Sequence, residues 1–183
     1  MTASSSTSTP GLSASQTIGP FFRYGLAWDN GEHAFPKDAP GEHIELTGTL
    51  TDGAGTLIGD AMIEFWQADA EGRFGGPNKG SCPGFARCYT NAEGRYTLHT
   101  VKPGAVAGDD GKLQAPHILV CLFSRGMLAQ VYTRVYLEAD AGDAVLKAAG
   151  PRADTLVARA AGKAKYEWDI VLQGARETVF LDF

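Results

Sequence analysis

The stretch that decides the fold runs from Ala115 to Gly126 and reads APHILVCLFSRG. Its centre, His117 to Phe123, is almost continuously apolar and contains β-branched and aromatic side chains. Pro116 before it and Gly126 after it are residue types that bound strands. We therefore predict a strand that is buried on both faces and lies at the centre of the core.

Two polar residues at the ends of this strand bear on function. Residues i and i+2 of a strand point to the same face, so a His-x-His pair would place two imidazoles side by side. The residue two after His117 is Leu119, so this strand cannot supply a pair of metal ligands. His117 is then expected to be a core histidine that hydrogen-bonds to a backbone carbonyl. Arg125 follows the apolar run, where its guanidinium can stay hydrated or meet an anion at the rim of a sheet.

The overall composition limits the classes of function. With 183 residues, of which 44% are hydrophobic, the chain can bury one sizeable core. The net charge is -5 and no run of Lys or Arg occurs, which argues against nucleic acid and anionic membranes as partners. No apolar stretch approaches the roughly 20 residues that span a bilayer, and the Ser- and Thr-rich start does not resemble a signal peptide. We expect a cytoplasmic protein with a small substrate or a protein partner.

The three cysteines, Cys82, Cys88 and Cys121, lack the spacing of a metal site or a disulfide framework. Cys82 and Cys88 do not form a Cys-x-x-Cys pair and have no histidine close by in sequence. Cys121 lies inside the apolar run, where a thiol behaves as a small hydrophobic group. We expect neither zinc nor a disulfide.

The N-terminal region divides into a tail and an arm. Residues 1–14 are rich in Ser and Thr and are expected to form a disordered tail. Residues 15–183 would form a single domain, which begins with an arm over residues 15–25. In this arm, Gly19-Pro20 predicts a turn before the aromatic pair Phe21-Phe22. The arm either packs onto its own domain or lies along a partner.

The rest of the chain reads as short strands separated by turns. Two segments, His43–Thr51 and Ala61–Ala68, alternate in the half-buried antiparallel pattern. Long glycine-rich loops are expected before Arg87 and from Gly104 to Gln114. Further strands are predicted at 95–101, 130–138, 166–172 and 178–183, and short helices at 143–149 and 154–161. This pattern predicts an all-β fold, a β-sandwich of mixed topology with short helical insertions.

Seven motifs that follow one another from Ser15 to the C-terminus together resemble the intradiol ring-cleaving dioxygenases. They are Ser-Gln-Thr-x-Gly-Pro-Phe at 15–21, Pro-Gly-Glu-His-Ile at 40–44, Trp-Gln-Ala-Asp at 66–69, Thr-Leu-His-Thr-Val-Lys-Pro-Gly at 97–104, Ala-Pro-His-Ile at 115–118, Leu-Phe-x-Arg-Gly at 122–126 and Glu-Thr-Val-Phe-x-Asp-Phe at 177–183. The resemblance covers the whole chain apart from the tail. It implies a mixed β-sandwich and an Fe(III) held by two tyrosines and two histidines, donors that suit ferric iron.

This sequence departs from that ligand set. Only the first histidine is kept, as His117, and Leu119 stands where the second would be. The loops from Gly72 to Arg87 and from Gly104 to Gln114 contain no tyrosine, although the iron-bearing chains of the family carry one in each. The resemblance therefore implies that this chain holds no metal, and that His117 is a vestigial ligand position.

The departure is typical of a non-metal alpha subunit, which pairs with a homologous beta subunit that holds the Fe(III). By resemblance, this chain lines the substrate pocket at the interface with Thr17, Gly19, Pro20 and Arg125, and carries no catalytic residue of its own. The substrates implied are a small aromatic dihydroxy acid and O2. Arg125 would offer positive charge to the carboxylate without needing to titrate.

Two other functions remain open. A β-sandwich binding or assembly module could keep the fold and lose catalysis. The joint presence of Arg125 and the stretch from Thr17 to Pro20 favours the enzyme subunit, since an assembly module has no reason to pair them. A self-sufficient dioxygenase conflicts with the missing ligands. Without the family context, Arg125 would be read as a surface salt-bridge residue.

Overall fold

The computed structural model describes residues 13–15, 17, 19–75, 83–108 and 111–182. Within this part, the chain forms two β-sheets that enclose a common core. The core is built from the inward-facing residues of both sheets, among them Leu46, Leu98, Phe65, Val120 and Leu122, all of them buried. The fold class predicted from the sequence, an all-β sandwich of mixed topology, is confirmed.

The first sheet is organised around its longest strand, β1 (His43–Thr51). It pairs antiparallel with β4 (Arg95–Val101) and parallel with β10 (Lys165–Glu167) and β11 (Ile170–Val171). The strand β9 (Arg159–Gly162) completes the sheet beside β10. The two parallel pairings give the sheet its mixed topology.

The second sheet is entirely antiparallel, in the order β3 (Phe85–Tyr89), β2 (Met62–Trp66), β7 (His117–Phe123) and β8 (Val131–Tyr136). A short hairpin of β5 (Val106–Ala107) and β6 (Leu113–Gln114) precedes β7. The segments that became β1 and β2 follow each other in sequence, but they lie in different sheets and pair with other strands. The strand that the sequence analysis placed at the centre, β7, lies between two neighbours.

In the described residues, three short helices accompany the sheets. The helix α1 (Pro20–Leu26) lies in the arm, and α2 (Ala144–Ala149) is followed directly by a 3-10 helix (Gly150–Leu156). Asp143 caps α2, because its side chain accepts hydrogen bonds from the backbone N–H groups of Val145 and Leu146. No helix in the described part of the chain combines the length and apolar character needed to cross a membrane.

The central strand β7 is buried on one face rather than on both. Ile118, Val120 and Leu122 face the core between the sheets, whereas Leu119 and Cys121 on the other face are half-buried. The prediction of two buried faces was wrong, because a continuous apolar run does not distinguish a core face from a face that is covered only in part. At the start of the strand, a second small core covers this outer face; it contains Ala115, Tyr136, Leu146, Leu156 and Val179.

Several element predictions need correction. A helix begins at Pro20 where the sequence predicted a Gly-Pro turn, and β3 forms at the end of the region predicted as a loop. Residues 154–161 end the 3-10 helix and begin β9 instead of forming one helix. Towards the C-terminus, a single bridge joins Leu181 to Tyr132 instead of a full strand. Residues 1–12 of the predicted tail lie outside the described residues, and the limits of the domain remain a prediction.

Candidate functional site

Arg125 lies at the tip of a tight turn that follows β7. The N–H of Met127 donates to the carbonyl of Ser124 at 3.2 Å, which closes the turn. Gly126 has a φ of 86°, the value required at the third position of a type II turn. Arg125 takes the second position, and 67% of its side chain is exposed. The turn thus directs the guanidinium away from the core.

The arm is joined to this turn by one hydrogen bond. The N–H of Gly126 donates to Thr17 Oγ1 at 2.9 Å. Two residues further along, the carbonyl of Gly19 accepts from the N–H of Phe22 at 3.1 Å, and α1 begins at Pro20. The structure therefore brings Thr17 and Arg125, which are distant in sequence, to neighbouring positions, with Gly19 and Pro20 following directly in the chain.

Arg125 also has a partner that the sequence analysis missed. Its Nη2 donates to Oδ2 of Asp60, in the connection between β1 and β2. The backbone next to Asp60 is fixed, because Ala61 exchanges hydrogen bonds with Thr90: its N–H donates to Thr90 Oγ1 at 2.9 Å and its carbonyl accepts from the Thr90 N–H at 3.1 Å. No motif marks Asp60, and the two partners are 65 residues apart.

The chain directly after the arm is anchored on β3. Arg87 Nη1 donates to the carbonyl of Leu26 at 2.8 Å, and its guanidinium carbon lies 4.8 Å from the centre of the Trp28 ring. Trp28 stacks on Phe85 with ring centres 6.0 Å apart. The arm thus leads from the end of β7 towards β3, and it is attached to its own domain at Thr17 and, just past its end, at Leu26.

Two aromatic side chains of the arm nevertheless point outwards. Phe21 and Tyr24 in α1 are each 83% exposed, and the neighbouring Phe22 and Trp28 are exposed as well. Large aromatic groups that remain exposed next to each other are typical of surfaces that bind a partner. Of the two readings of the arm, attachment to its own domain is observed, and the exposed aromatics leave room for a partner on the opposite side.

His117 lies at the other end of β7 and is buried, with 5% exposure. Its Nδ1 is 2.8 Å from the carbonyl of Ala115. Burial, together with the positive charge of Arg134, lowers the pKa of His117 below its usual value, although the hydrogen bond to Ala115 opposes this. The neutral imidazole therefore predominates in the folded chain.

Several polar side chains near His117 are paired with one another. On the paired strand β8, Tyr136 lies opposite His117 and its hydroxyl donates to Asp143 Oδ1 at 3.0 Å. Burial raises the pKa of Tyr136 to about 12. Arg134 lies opposite Leu119, and its Nη1 donates to Gln114 Oε1 at 2.7 Å.

These residues do not fit a ferric ion. Leu119 offers no donor atom on the face of His117, and the raised pKa of Tyr136 disfavours the phenolate that Fe(III) binds. The guanidinium of Arg134 places a fixed positive charge near the ring, which opposes a second cation. Within the described ranges, no three His, Cys, Asp or Glu side chains come together as a metal-binding group.

The two candidate positions are far apart. His117 begins β7 and Arg125 follows its end, and a strand of seven residues is about 20 Å long. Arg125 and Thr17 therefore cannot line a pocket around His117. If they contact a substrate at a metal centre, that centre lies outside this chain.

The other three histidines share a surface groove that the sequence did not predict. The rings of His33 and His99 stack with centres 4.6 Å apart, and with His43 they line a groove of about 330 Å³ on the first sheet. Glu45 in the same groove pairs with Lys165 at 3.1 Å. The groove is open and has a mixed polar and apolar lining, and it lies on a different sheet from Arg125.

Comparisons with known proteins agree with the fold. A family model described as a dioxygenase matches residues 17–174. Among solved structures, catechol 1,2-dioxygenase from Pseudomonas arvilla C-1 superposes with a TM-score of 0.60 at 19% identity, covering 79% of this chain and 56% of that one. The dioxygenase domain of a carbohydrate-binding fusion protein from Streptomyces sp. SirexAA-E gives a TM-score of 0.60 at 23% identity, covering 79% and 88%.

Proteins related in sequence indicate the type of subunit, which the solved structures do not. The chain is 39% identical to the protocatechuate 3,4-dioxygenase alpha chain of Pseudomonas putida and 40% identical to that of Burkholderia cepacia, in each case over 92% of this chain and 95% of the relative. The beta chain of the Burkholderia cepacia enzyme is 34% identical over 75% of this chain and 67% of its own length. The chain belongs to the intradiol dioxygenase family. Within this family, the chain is homologous to alpha chains over most of its length, and it is also homologous to a beta chain.

Proposed function

We propose that this chain is the non-metal subunit of a cytoplasmic protocatechuate 3,4-dioxygenase, and that it completes the substrate pocket of an Fe(III)-bearing beta subunit. The enzyme would use O2 to cleave protocatechuate between its hydroxylated carbons to 3-carboxy-cis,cis-muconate. Thr17, Gly19, Pro20 and Arg125 would line the pocket, and the oxygen chemistry would belong to the partner's metal. The free thiols of Cys88 and Cys121 are consistent with a reducing compartment.

The observation that carries the proposal is the distance between the two ends of β7. Thr17 and Arg125 meet at one end, and the residues around His117, which do not suit iron, lie at the other. If Thr17 and Arg125 contact a substrate that is bound to iron, another chain must hold that iron. Arg125 suits a benzoate-type substrate, because a permanently charged guanidinium binds carboxylates.

The surface that we propose contacts the beta subunit is inferred from the outer faces of the two sheets, which differ in the side chains that they expose. The first sheet carries ion pairs on its outer face, such as Lys165–Glu45 and Arg159–Glu167, and such a face is stable in water. On the second sheet, the arm presents Phe21 and Tyr24 outwards next to the turn of Arg125. A beta subunit that covers the arm would bury these aromatics and bring its own pocket to Arg125.

Substitution of Arg125 tests the pocket role. In the assembled complex, Arg125→Ala should lower kcat/KM for protocatechuate by about 10- to 150-fold, because a charge-assisted contact contributes about 1.5–3 kcal/mol. Turnover of catechol, which lacks the carboxylate, should fall much less, and iron content should not change. Arg176→Ala is the matched control, since Arg176 forms an exposed ion pair with Asp154 elsewhere.

The same experiment separates the alternative function. If Arg125 only supports the subunit interface, the variant should dissociate in sedimentation or lose both activities equally. Equal losses for the two substrates would refute the pocket role. An assembly module would show no carboxylate-dependent effect at all, because it would not contact the substrate.

A further inference from the structure

We propose that Asp60 is a positioning residue for Arg125, which holds the guanidinium so that its remaining N–H groups face the carboxylate of the aromatic substrate. This inference rests on the proposed function and extends it to a residue outside the family motifs. It is carried by the ion pair between Asp60 and Arg125 and by the different exposure of the two partners.

Asp60 is the fixed member of the pair. Its side chain is 31% exposed against 67% for Arg125. Both backbone groups of the adjacent Ala61 are hydrogen-bonded to Thr90, which holds the backbone that carries the Asp60 carboxylate in place. The guanidinium, by contrast, lies at the end of a long flexible side chain, and Asp60 restricts its orientation.

The contact leaves most of the guanidinium available. Among the described residues, Arg125 contacts Asp60 through Nη2 and has no second side-chain partner. A guanidinium carries five N–H groups in a planar fork and can bind a second carboxylate on another edge. Asp60 therefore does not need to be displaced when a substrate carboxylate arrives.

The negative charge of Asp60 could also compete with the substrate. The two carboxylates would approach different edges of one guanidinium at an exposed position, where water and salt screen their repulsion. Water and salt do not reduce the entropy cost of orienting a side chain with several rotatable bonds, so the loss of Asp60 would leave that cost in full. We therefore expect Asp60 to favour substrate binding.

Kinetics of the assembled complex test this role. Asp60→Ala should raise KM for protocatechuate by about 3- to 10-fold with little change in kcat, because the lost orientation affects binding. Asp60→Asn retains an oxygen acceptor for Nη2 and should recover most of the loss. Turnover of catechol should be unchanged in both variants. Asp154→Ala is the matched control, since it removes the acidic partner of the exposed pair with Arg176.

A double variant distinguishes this inference from the function on which it rests. If Asp60 acts through Arg125, adding Asp60→Ala to Arg125→Ala should cause no further loss. An equal loss in both backgrounds, or an increase in kcat/KM in Asp60→Ala, would refute the positioning role while leaving the pocket role of Arg125 intact. If Arg125→Ala alone fails to discriminate between the two substrates, both proposals are wrong.

Discussion

Thr17 Oγ1 accepts a hydrogen bond from the N–H of Gly126 at 2.9 Å, across 109 residues of sequence. This contact connects the arm to the turn that carries Arg125. It brings two motifs from opposite parts of the chain together, as the proposed pocket requires. The turn is also connected to Asp60 through the ion pair of Arg125.

Replacement of Thr17 tests this connection. Thr17→Val keeps the shape of the side chain but removes the acceptor, which should cost about 0.5–1.5 kcal/mol. We expect kcat/KM of the assembled enzyme to fall by about 2- to 10-fold. Thr17→Ser retains the hydroxyl and should stay close to the parent. A Val variant with unchanged kinetics would mean that the contact does not position the pocket.

The exposed aromatics of α1 predict where the beta subunit binds. A double variant, Phe21→Ser with Tyr24→Ser, should weaken assembly with the partner by at least about 10-fold, because aromatic residues dominate many interfaces. The melting temperature of the separate chain should change little, since both side chains are exposed in it. Affinity measured by sedimentation or calorimetry provides the readout, and unchanged affinity would exclude the arm from the interface.

Gly48 permits the close pairing of β1 with the chain near Trp168. A Cβ at this position would lie 1.8 Å from the carbonyl oxygen of Trp168, which is backbone and cannot move aside. Gly48→Ala should therefore lower the melting temperature by about 6–12 °C, as expected for roughly 3 kcal/mol in a chain of this size. Gly25→Ala is the control, because no atom lies within 4 Å of a Cβ there. Equal melting temperatures for the two variants would contradict the close strand pairing at Gly48.

The lowered pKa of His117 predicts a pH dependence of stability. Burial is the main cause, so the folded chain binds a proton at His117 less readily than the unfolded chain, whose histidine has a pKa of about 6.5. The contribution of His117 is present in full above that pH and is lost as the pH falls through the lowered folded-state pKa. His117→Gln should make the melting temperature of the complex less dependent on pH below about 6.5.

His43→Gln provides the matched control for this measurement, since His43 is an exposed histidine on the other sheet. A pH dependence that is identical in His117→Gln and the parent would show that His117 does not carry the effect.

The elements with strong local patterns were predictable from the sequence. The strand β1 has the predicted limits, because its polar and apolar residues alternate over nine positions. By contrast, β3 has only five residues and follows a glycine- and proline-rich stretch that dominates the local signal. Residues 159–162 contain helix-forming alanines and become strand β9 through pairing with β10, a tertiary effect that local propensity does not contain.

In the candidate site, too, the residues that lie in local motifs were predictable, whereas the contacts between distant residues were not. Arg125, Thr17 and the missing partner of His117 can be read from motifs, because each lies in a recognisable stretch. The hydrogen bond from Gly126 to Thr17, the ion pair with Asp60 and the charge of Arg134 near His117 join residues that are distant in sequence. Such contacts depend on the register of the sheets, and a single sequence does not reveal them.

The central claim is that this chain completes a site whose iron is held by another subunit. Metal analysis of the assembled complex tests it most directly, together with the visible absorption of each separated chain. We predict one iron ion per pair of alpha and beta chains, with phenolate-to-iron charge-transfer absorption retained by the beta chain and lacking in this one. Two iron ions per pair, or stoichiometric iron on this chain alone, would contradict the account.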